Sequence, residues 1–286
     1  MSTAWQAGAI PARPVAFDLK LARPSAFACA GVLAALNAQA DHILVAVKFQ
    51  PLWTAIFGLA GISAVMWVAM YAALKLGFVA DRRPVTRKDA VVLAAVVLLS
   101  FLPVSYSAQA GLLLCGAYLL VTSAPGEDAR RIAFLLLALT GPLLWGRILL
   151  QELAVPLLSL DAHLVGLAIG TEVHGNTVQF AGSAKQFLVG TGCSSVHNMS
   201  LAIVLWTTAA VGFRIRIDAR YLACGVAMAG LMFATNIARL AAIGLYPASF
   251  QFLHEGAGAD LFGWAGLVGA GLIVAVGVTS AVRRQQ

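Results

Sequence analysis

Charge is scarce in this chain. Only 11% of its 286 residues are Asp, Glu, Lys or Arg, whereas 60% are hydrophobic. A soluble domain of this length needs far more polar surface, so the composition excludes an ordinary soluble fold. Apolar runs of about 18 residues or more recur from end to end, which is typical of transmembrane helices. We therefore predict a polytopic membrane protein.

Several motifs are also missing. Neither GxGxxG nor GxxxxGK[ST] occurs, so nothing indicates a nucleotide. The cysteines form no C-x-x-C pair and no metal-like pattern with histidine, and we expect no metal ion and no other cofactor. Cys29, Cys115 and Cys224 lie within apolar runs, where cysteine acts as a small hydrophobic residue. The N-terminus lacks a short apolar segment with a small-residue cleavage site, so we predict no removable signal peptide.

The apolar runs predict an all-α fold with about eight transmembrane helices. Polar residues interrupt the first run, which makes it the weakest, and the fourth is short for a bilayer. The predicted spans cover residues 24–45, 52–79, 90–106, 108–123, 132–150, 195–213, 220–246 and 261–282.

Basic residues predict the orientation. With eight spans, every basic cluster lies on one side, and the opposite loops contain only Lys48 and Lys185. Positively charged loops stay in the cytoplasm, so we expect a multi-pass protein of the cytoplasmic (inner) membrane with both termini inside. The net charge of +7 then reflects topology within a lipid bilayer and not a nucleic-acid partner. The clusters contain Arg13, Lys20, Arg23, Arg82, Arg83, Arg87, Lys88, Arg130, Arg131, Arg214, Arg216, Arg220, Arg283 and Arg284.

Two outer segments are long, at about 151–194 and 247–260. Residues 171–180 and 185–189 are rich in β-branched and aromatic residues, and Ala181, Gly182 and Ser183 separate them. This pattern predicts a small extracytoplasmic β-hairpin before the sixth span. The amphipathic stretch at 153–169 is predicted to lie along the membrane interface.

Cys193 ends the run Gly190-Thr-Gly-Cys and directly precedes the sixth span. The glycines allow a sharp turn, and Ser194 or Ser195 can cap the helix that follows. Free N–H groups and the positive helix end at this position favour a thiolate. The alternative is a passive cysteine at the membrane interface.

Arg239 lies inside the seventh span, roughly 10 Å below its outer end at about 1.5 Å per residue. An arginine in hydrocarbon costs about 2.5–3.5 kcal/mol on insertion scales, so a functional role is the default expectation. The alternative is a side chain that extends to the interface. Asn236, three residues earlier on the same face, is predicted to hold the guanidinium.

His254 lies in the outer loop between the last two spans and exchanges protons near neutrality. Cys193, Arg239 and His254 together supply the parts for thiol-based acyl transfer. Cys193 is the predicted nucleophile, His254 its proton partner and Arg239 the group that stabilises the oxyanion.

Other polar residues compete for roles. His197 follows Cys193 by one helical turn and is the second candidate for the base, while Asn198 pairs with a neighbouring helix. Arg147 either extends to the outer interface or binds substrate. Glu255 and Asp260 either orient His254 or are solvated. Within the hairpin, the residues that are solvated or contact substrate are Glu172, His174 and Asn176.

These motifs resemble the exosortase/archaeosortase family of membrane enzymes. The family has a cysteine at the start of one transmembrane helix, an arginine in a later Asn-x-x-Arg segment and a histidine in the next outer loop. Cys193, Asn236-Ile-Ala-Arg239 and Phe252-Leu-His254 match that pattern. The stretch Gly170–Asn176 also resembles the family, and the similarity covers about residues 130–265.

The resemblance implies a cysteine peptidase or transpeptidase. Members of the exosortase/archaeosortase family remove C-terminal sorting signals from exported proteins. Such a signal consists of a short motif, a hydrophobic helix and a basic cluster. In bacteria the family often accompanies exopolysaccharide production. The implied partners are exported, membrane-tethered proteins with such a C-terminal helix. The chain divides into residues 1–130, with no specific motif, and 131–286, the exosortase-like region. One departure is that the family usually has Cys-Ser-Gly or Cys-Ala-Gly, whereas this chain has Cys193-Ser-Ser.

The competing hypothesis is a non-enzymatic transporter or a membrane component of polysaccharide assembly. A transporter is expected to have polar residues near the midplane and broken helices in corresponding halves. In this sequence only the polar first span fits that description.

Overall fold

The structure is a computed structural model that describes residues 22–49, 51–80 and 83–285. Within these ranges the chain is mostly helical with a small sheet before the helix that begins at Ser195, which confirms the all-α class with its β element. Arg13, Lys20 and Arg82, three of the residues used to predict orientation, lie outside the described part of the chain.

Helices of very different length follow one another along the described residues. The α-helices are α1 (Arg23–Asn37), α2 (Ala40–Phe49), α3 (Leu52–Phe57), α4 (Ala64–Val79), α5 (Arg87–Phe101), α6 (Ser107–Thr122), α7 (Asp128–Thr140), α8 (Gly146–Glu152), α9 (Ala154–Ile169), α10 (Ser195–Gly212), α11 (Ala219–Leu245), α12 (Phe250–His254) and α13 (Ala257–Gln285). A π-helical turn, Gly141–Trp145, joins α7 to α8. The strands are β1 (Val173–His174), β2 (Thr177–Gln179) and β3 (Gln186–Leu188).

Two predicted spans are broken. The span 24–45 is divided between α1 and α2, which form a bent pair with an angle of 58°. The span 52–79 is divided into α3 and α4 by a turn in which Leu59, Ala60 and Gly61 have positive φ. Left-handed residues cannot continue a right-handed helix, so the hydrogen-bond ladder ends there. Each of these two ranges therefore contains two helices and not one continuous helix.

Three helical segments among the described residues are long and apolar enough to cross a membrane: Asp128–Glu152, Ala219–Leu245 and Ala257–Gln285. The bent α1–α2 pair is a fourth if it counts as one span. α11 and α13 also expose apolar side chains, for example Val226 at 67% and Val276 at 71%. Lipid is the natural cover for such long apolar surfaces. The full count of eight spans stays a prediction from the sequence.

The sheet is antiparallel in the order β1-β2-β3. Val178 lies opposite Phe187 in the β2–β3 hairpin, as the alternation of the sequence predicts. The predicted strand 171–180 is divided into β1 and β2, however, because the chain turns at Gly175, whose φ is 62°. Only glycine adopts that conformation without strain. The sheet packs on α9, which also packs against α11.

One hydrophobic cluster surrounds the end of the bundle that carries the sheet. Residues from α9, the sheet, the turn before α10, α11 and α12 share it, and Cys193 and Leu253 are members. The outer segments predicted from the sequence are therefore packed together at this end. A larger cluster of buried residues joins α1, α4, α5, α6, α7 and α10.

A buried ion pair joins α1 to α5. Arg23 Nε donates to Asp89 Oδ1 at 2.9 Å, and the two residues are only 8% and 2% exposed. Asp89 also accepts from Thr86 in a capping box at the start of α5. Burial raises the pKa of Asp89, but the hydrogen bonds from Arg23 and Thr86 outweigh it and lower that pKa to about 2.

Candidate active site

Cys193 and His254 are in contact although 61 residues separate them. Cys193 Sγ lies 3.2 Å from His254 Nε2, and the cysteine is 8% exposed. At this distance the imidazole can accept the thiol proton or stabilise a thiolate. The structure thus brings together two of the three residues that the sequence proposes for catalysis.

The turn that carries Cys193 is held by its own backbone. Thr191–Cys193 forms a 3-10 turn, in which Cys193 N donates to Gly190 O and Ser194 N to Thr191 O. Ser194 caps α10, since its side chain accepts from Val196 N, as expected. The N–H groups of Cys193 and Ser194 are therefore not free, in contrast to the expectation from the helix start.

Asp161 occupies the start of α10. Its carboxylate accepts from Ser195 N at 3.1 Å and from Ser195 Oγ at 2.5 Å, and both residues are buried. A carboxylate at a helix N-terminus is stabilised by the free N–H groups and the helix dipole. The positive end of α10 thus holds Asp161, and His254 is the polar group that directly contacts the thiol.

His254 is fixed by its neighbours in and beside α12. Phe250, one turn earlier, stacks on the imidazole with ring centroids 5.0 Å apart and planes 11° apart. Phe250 in turn packs edge-on against Phe180, which follows β2. Glu255 Oε1 lies 3.3 Å from His254 Nδ1, as one of the two sequence interpretations expects. A carboxylate beside Nδ1 favours a proton there, which leaves Nε2 to face Cys193.

Asn236 ties α11 to the cysteine. Its Nδ2 donates to Cys193 O at 2.7 Å, and Asn198 Nδ2 lies 3.5 Å from its Oδ1. Asn236 is 3% exposed, so these partners replace water. The prediction that Asn236 holds the Arg239 guanidinium is wrong, because its amide is engaged by Cys193 and Asn198 instead. Asn198 pairs with a neighbouring helix, as predicted.

Arg239 lines a cavity of about 650 Å³ together with Asn236, Asn198 and Asp260. Among the described residues Arg239 makes no hydrogen bond and no ion pair, and its Nε is buried without a partner. The structure thus does not bring Arg239 into contact with Cys193. Asn236 connects the two residues, because it bonds to Cys193 and lines the same cavity as Arg239, a cavity that Cys193 does not line. Of the two acids considered as partners of His254, Asp260 lines this cavity and Glu255 lies beside His254.

His197 lines a different cavity, together with Arg147 and His42. The hydrogen bond of Cys193 Sγ is to His254, so the structure gives no support to His197 as the base. Arg147 Nη2 lies 3.5 Å from His42 Nε2.

The candidate residues of the hairpin region lie away from the cysteine, and Asn176 stabilises the sheet. Asn176 Nδ2 donates to Val189 O at 3.1 Å, and its own carbonyl accepts from Val189 N. This pairing joins the turn after β1 to the end of β3. His174 and Glu172 are exposed, 3.8 Å apart. None of these side chains contacts Cys193 or His254.

Sequence reasoning missed Asp161 and Phe250. A signal for Asp161 was present, since it is the lone acidic residue of the apolar stretch 153–169. Phe250 precedes His254 by four residues, the spacing at which side chains meet on one helix face. Among the described residues no group of three or more His, Cys, Asp and Glu side chains is placed to hold a metal ion.

Comparison with models of known protein families gives no match, and neither the curated proteins nor the solved structures contain one. The resemblance to exosortases therefore depends on sequence motifs alone, those around Cys193, Arg239 and His254 and the stretch Gly170–Asn176.

Proposed function

We propose that this protein is a membrane-embedded cysteine peptidase or transpeptidase. It cleaves C-terminal sorting signals from exported proteins at the extracytoplasmic face of the cytoplasmic membrane. The observation that carries the proposal is the 3.2 Å contact between Cys193 Sγ and His254 Nε2, in a chain whose long apolar helices suit a bilayer.

The first step forms a thioester. His254 Nε2 takes the thiol proton as Cys193 Sγ attacks the carbonyl carbon of the scissile peptide bond. The tetrahedral intermediate collapses, the C–N bond breaks, and His254 returns the proton to the leaving amine of the C-terminal fragment. Water or an acceptor amine then attacks the thioester and restores the thiol.

The oxyanion needs a donor from outside the cysteine turn. The N–H groups of Cys193 and Ser194 close that turn, and the N–H of Ser195 is bound by Asp161. Arg239 has an unpartnered donor and shares its cavity with Asn236, which bonds to Cys193 O. These facts support Arg239 as the oxyanion donor once substrate fills the cavity.

The test is a processing assay in cells. A tagged exported protein with a hydrophobic C-terminal helix and a basic cluster is coexpressed with the wild-type chain or with Cys193→Ala. Loss of the shortened product with Cys193→Ala is expected. The matched control is Cys29→Ala in α1, which keeps the site thiol. Equal processing by Cys193→Ala and the wild type would refute the proposal.

Transport is the competing function, and the bent α1–α2 pair is the feature that favours it. The C-terminal helices α11 and α13 are continuous, however, so breaks do not occur in corresponding halves of the described chain. If proteoliposomes that contain the protein take up a solute, and Cys193→Ala takes it up at the wild-type rate, transport would be favoured.

A further inference from the structure

A second polar cavity, of about 270 Å³, lies among α2, α4, α8 and α10. Its polar lining consists of Gln39, His42, Ser63, Arg147 and His197, and we call it the histidine–arginine cavity. None of its lining residues belongs to the Cys193–His254 pair.

Positive charge in this cavity lacks a protein counterion. No carboxylate lines it, and among the described residues Arg147 makes no ion pair. The polar neighbour of its guanidinium is the His42 ring, at 3.5 Å, which supplies no negative charge. Arg147 is half-buried and His42 is exposed, so the cavity opens to the surroundings and a guanidinium without a counterion there favours a negatively charged ligand.

Gln39 provides an independent sign of a missing acceptor. The residue is 6% exposed and lines the cavity, yet its Nε2 has no hydrogen-bond partner. A buried amide donor without a partner is unfavourable, whereas a ligand oxygen in the cavity would satisfy it.

Two helices begin at the cavity. Gln39 directly precedes α2, and Ser63 directly precedes α4. A helix N-terminus carries partial positive charge, so both helix starts favour an anion, although Met66 N already donates to Ser63 O and Asp41 lies in the first turn of α2.

The backbone beside Arg147 is also unusual. The π-helical turn Gly141–Trp145 ends directly before α8, and its Pro142 and Leu143 line the cavity. Pro142 lacks an N–H donor, and π-helical turns are frequent at functional sites.

We propose that the histidine–arginine cavity binds a phosphate group, either of an anionic lipid headgroup or as inorganic phosphate. Donors from α8, α10 and two helix starts surround the space, which suits the several oxygens of a tetrahedral phosphate better than one carboxylate. Met66, Leu143 and Leu150 form an apolar part of the wall, against which an acyl chain packs.

The experiment uses the purified full chain and its intrinsic tryptophan fluorescence. Thermal unfolding is followed in neutral phosphatidylcholine nanodiscs, in nanodiscs with added phosphatidylglycerol, and in neutral nanodiscs titrated with inorganic phosphate or with acetate at matched ionic strength. We expect phosphatidylglycerol or phosphate to raise the unfolding temperature and acetate to leave it unchanged. A response to phosphatidylglycerol alone identifies a lipid headgroup, and a response to phosphate identifies the free ion as sufficient.

Variants localise the effect. Arg147→Gln is expected to weaken the apparent affinity by about tenfold to a hundredfold, because it removes charge-assisted hydrogen bonds. The control Arg216→Gln removes an exposed arginine that does not line this cavity and keeps the response. If Arg147→Gln does not fold, the nearly isosteric Gln39→Met replaces it and also weakens the response. An equal response in variant and wild type, an equal effect of acetate, or no response to either phosphate source would overturn the proposal.

Discussion

Asn236 Nδ2 donates a 2.7 Å hydrogen bond to Cys193 O, so the helix that carries Arg239 is fastened to the turn that carries the thiol. The amide is buried, and Asn198 lies 3.5 Å from its oxygen. The link joins α11 to the start of α10 through one side chain. The position of the nucleophile therefore depends on a residue that does not itself contact the thiol.

Asn236→Leu removes that link at nearly constant volume. The carbonyl of Cys193 is then left without its partner, at a cost of about 1–3 kcal/mol. We expect processing to fall by about tenfold or more while the protein still folds. The measurement is the rate of substrate processing, together with thermal unfolding in detergent. A processing rate equal to that of the wild type would show that the link does not position the nucleophile.

Arg239→Gln tests the oxyanion role. Loss of one oxyanion donor lowers kcat by about 10²- to 10³-fold. We expect KM to change little, and Arg239→Lys to retain part of the rate because it keeps the charge. Arg283→Gln, at the exposed end of α13, is the control and keeps full activity. A rise in KM with unchanged kcat would instead assign Arg239 to substrate binding.

Asp161→Asn tests the anchor of α10. The substitution removes the charge and one of the two acceptor oxygens that Ser195 uses. We expect a loss of about 1–3 kcal/mol in the free energy of unfolding. Chemical denaturation in detergent measures it, with Asp41→Asn, an exposed acid in α2, as the control. Equal stability of the two variants would rule out the anchoring role.

Asp89→Asn tests the buried ion pair with Arg23. Because it leaves a buried guanidinium unpaired, the free energy of unfolding is expected to fall by about 3–5 kcal/mol. Asp128→Asn, which disrupts a partly exposed pair with Arg131, is the control and costs about 1 kcal/mol or less.

The same pair predicts a pH dependence of stability. The pKa of Asp89 is about 2 in the folded protein and about 3.9 in an unfolded chain, so its contribution is present above about pH 4. That contribution is lost as the pH falls from about 4 to 2. Unfolding temperatures of the wild type should fall more steeply over this range than those of Asp89→Asn, and parallel curves would contradict the assignment.

The sequence predicts some parts of this molecule better than others. Hydrophobic runs, basic clusters and short motifs can be read from the sequence directly. They indicate the helical class, the hairpin and the segments that carry Cys193, Arg239 and His254. The sequence favours His254 over His197, but the contact between Cys193 and His254 depends on how α12 packs against the cysteine turn, which residue spacing does not determine. The sequence does not predict the helix break at Leu59 and Ala60, because leucine and alanine rarely adopt positive φ.

Thiol reactivity at Cys193 tests the central claim most directly, since it needs no substrate. A membrane-impermeant thiol reagent is applied to intact cells, and peptide mass spectrometry reports the rate of labelling at each cysteine. We expect Cys193 to be labelled from the outer side, and His254→Asn to slow that labelling because it removes the imidazole that accepts the thiol proton. No labelling of Cys193 from the outer side, or labelling at a rate that His254→Asn does not change, would contradict the account.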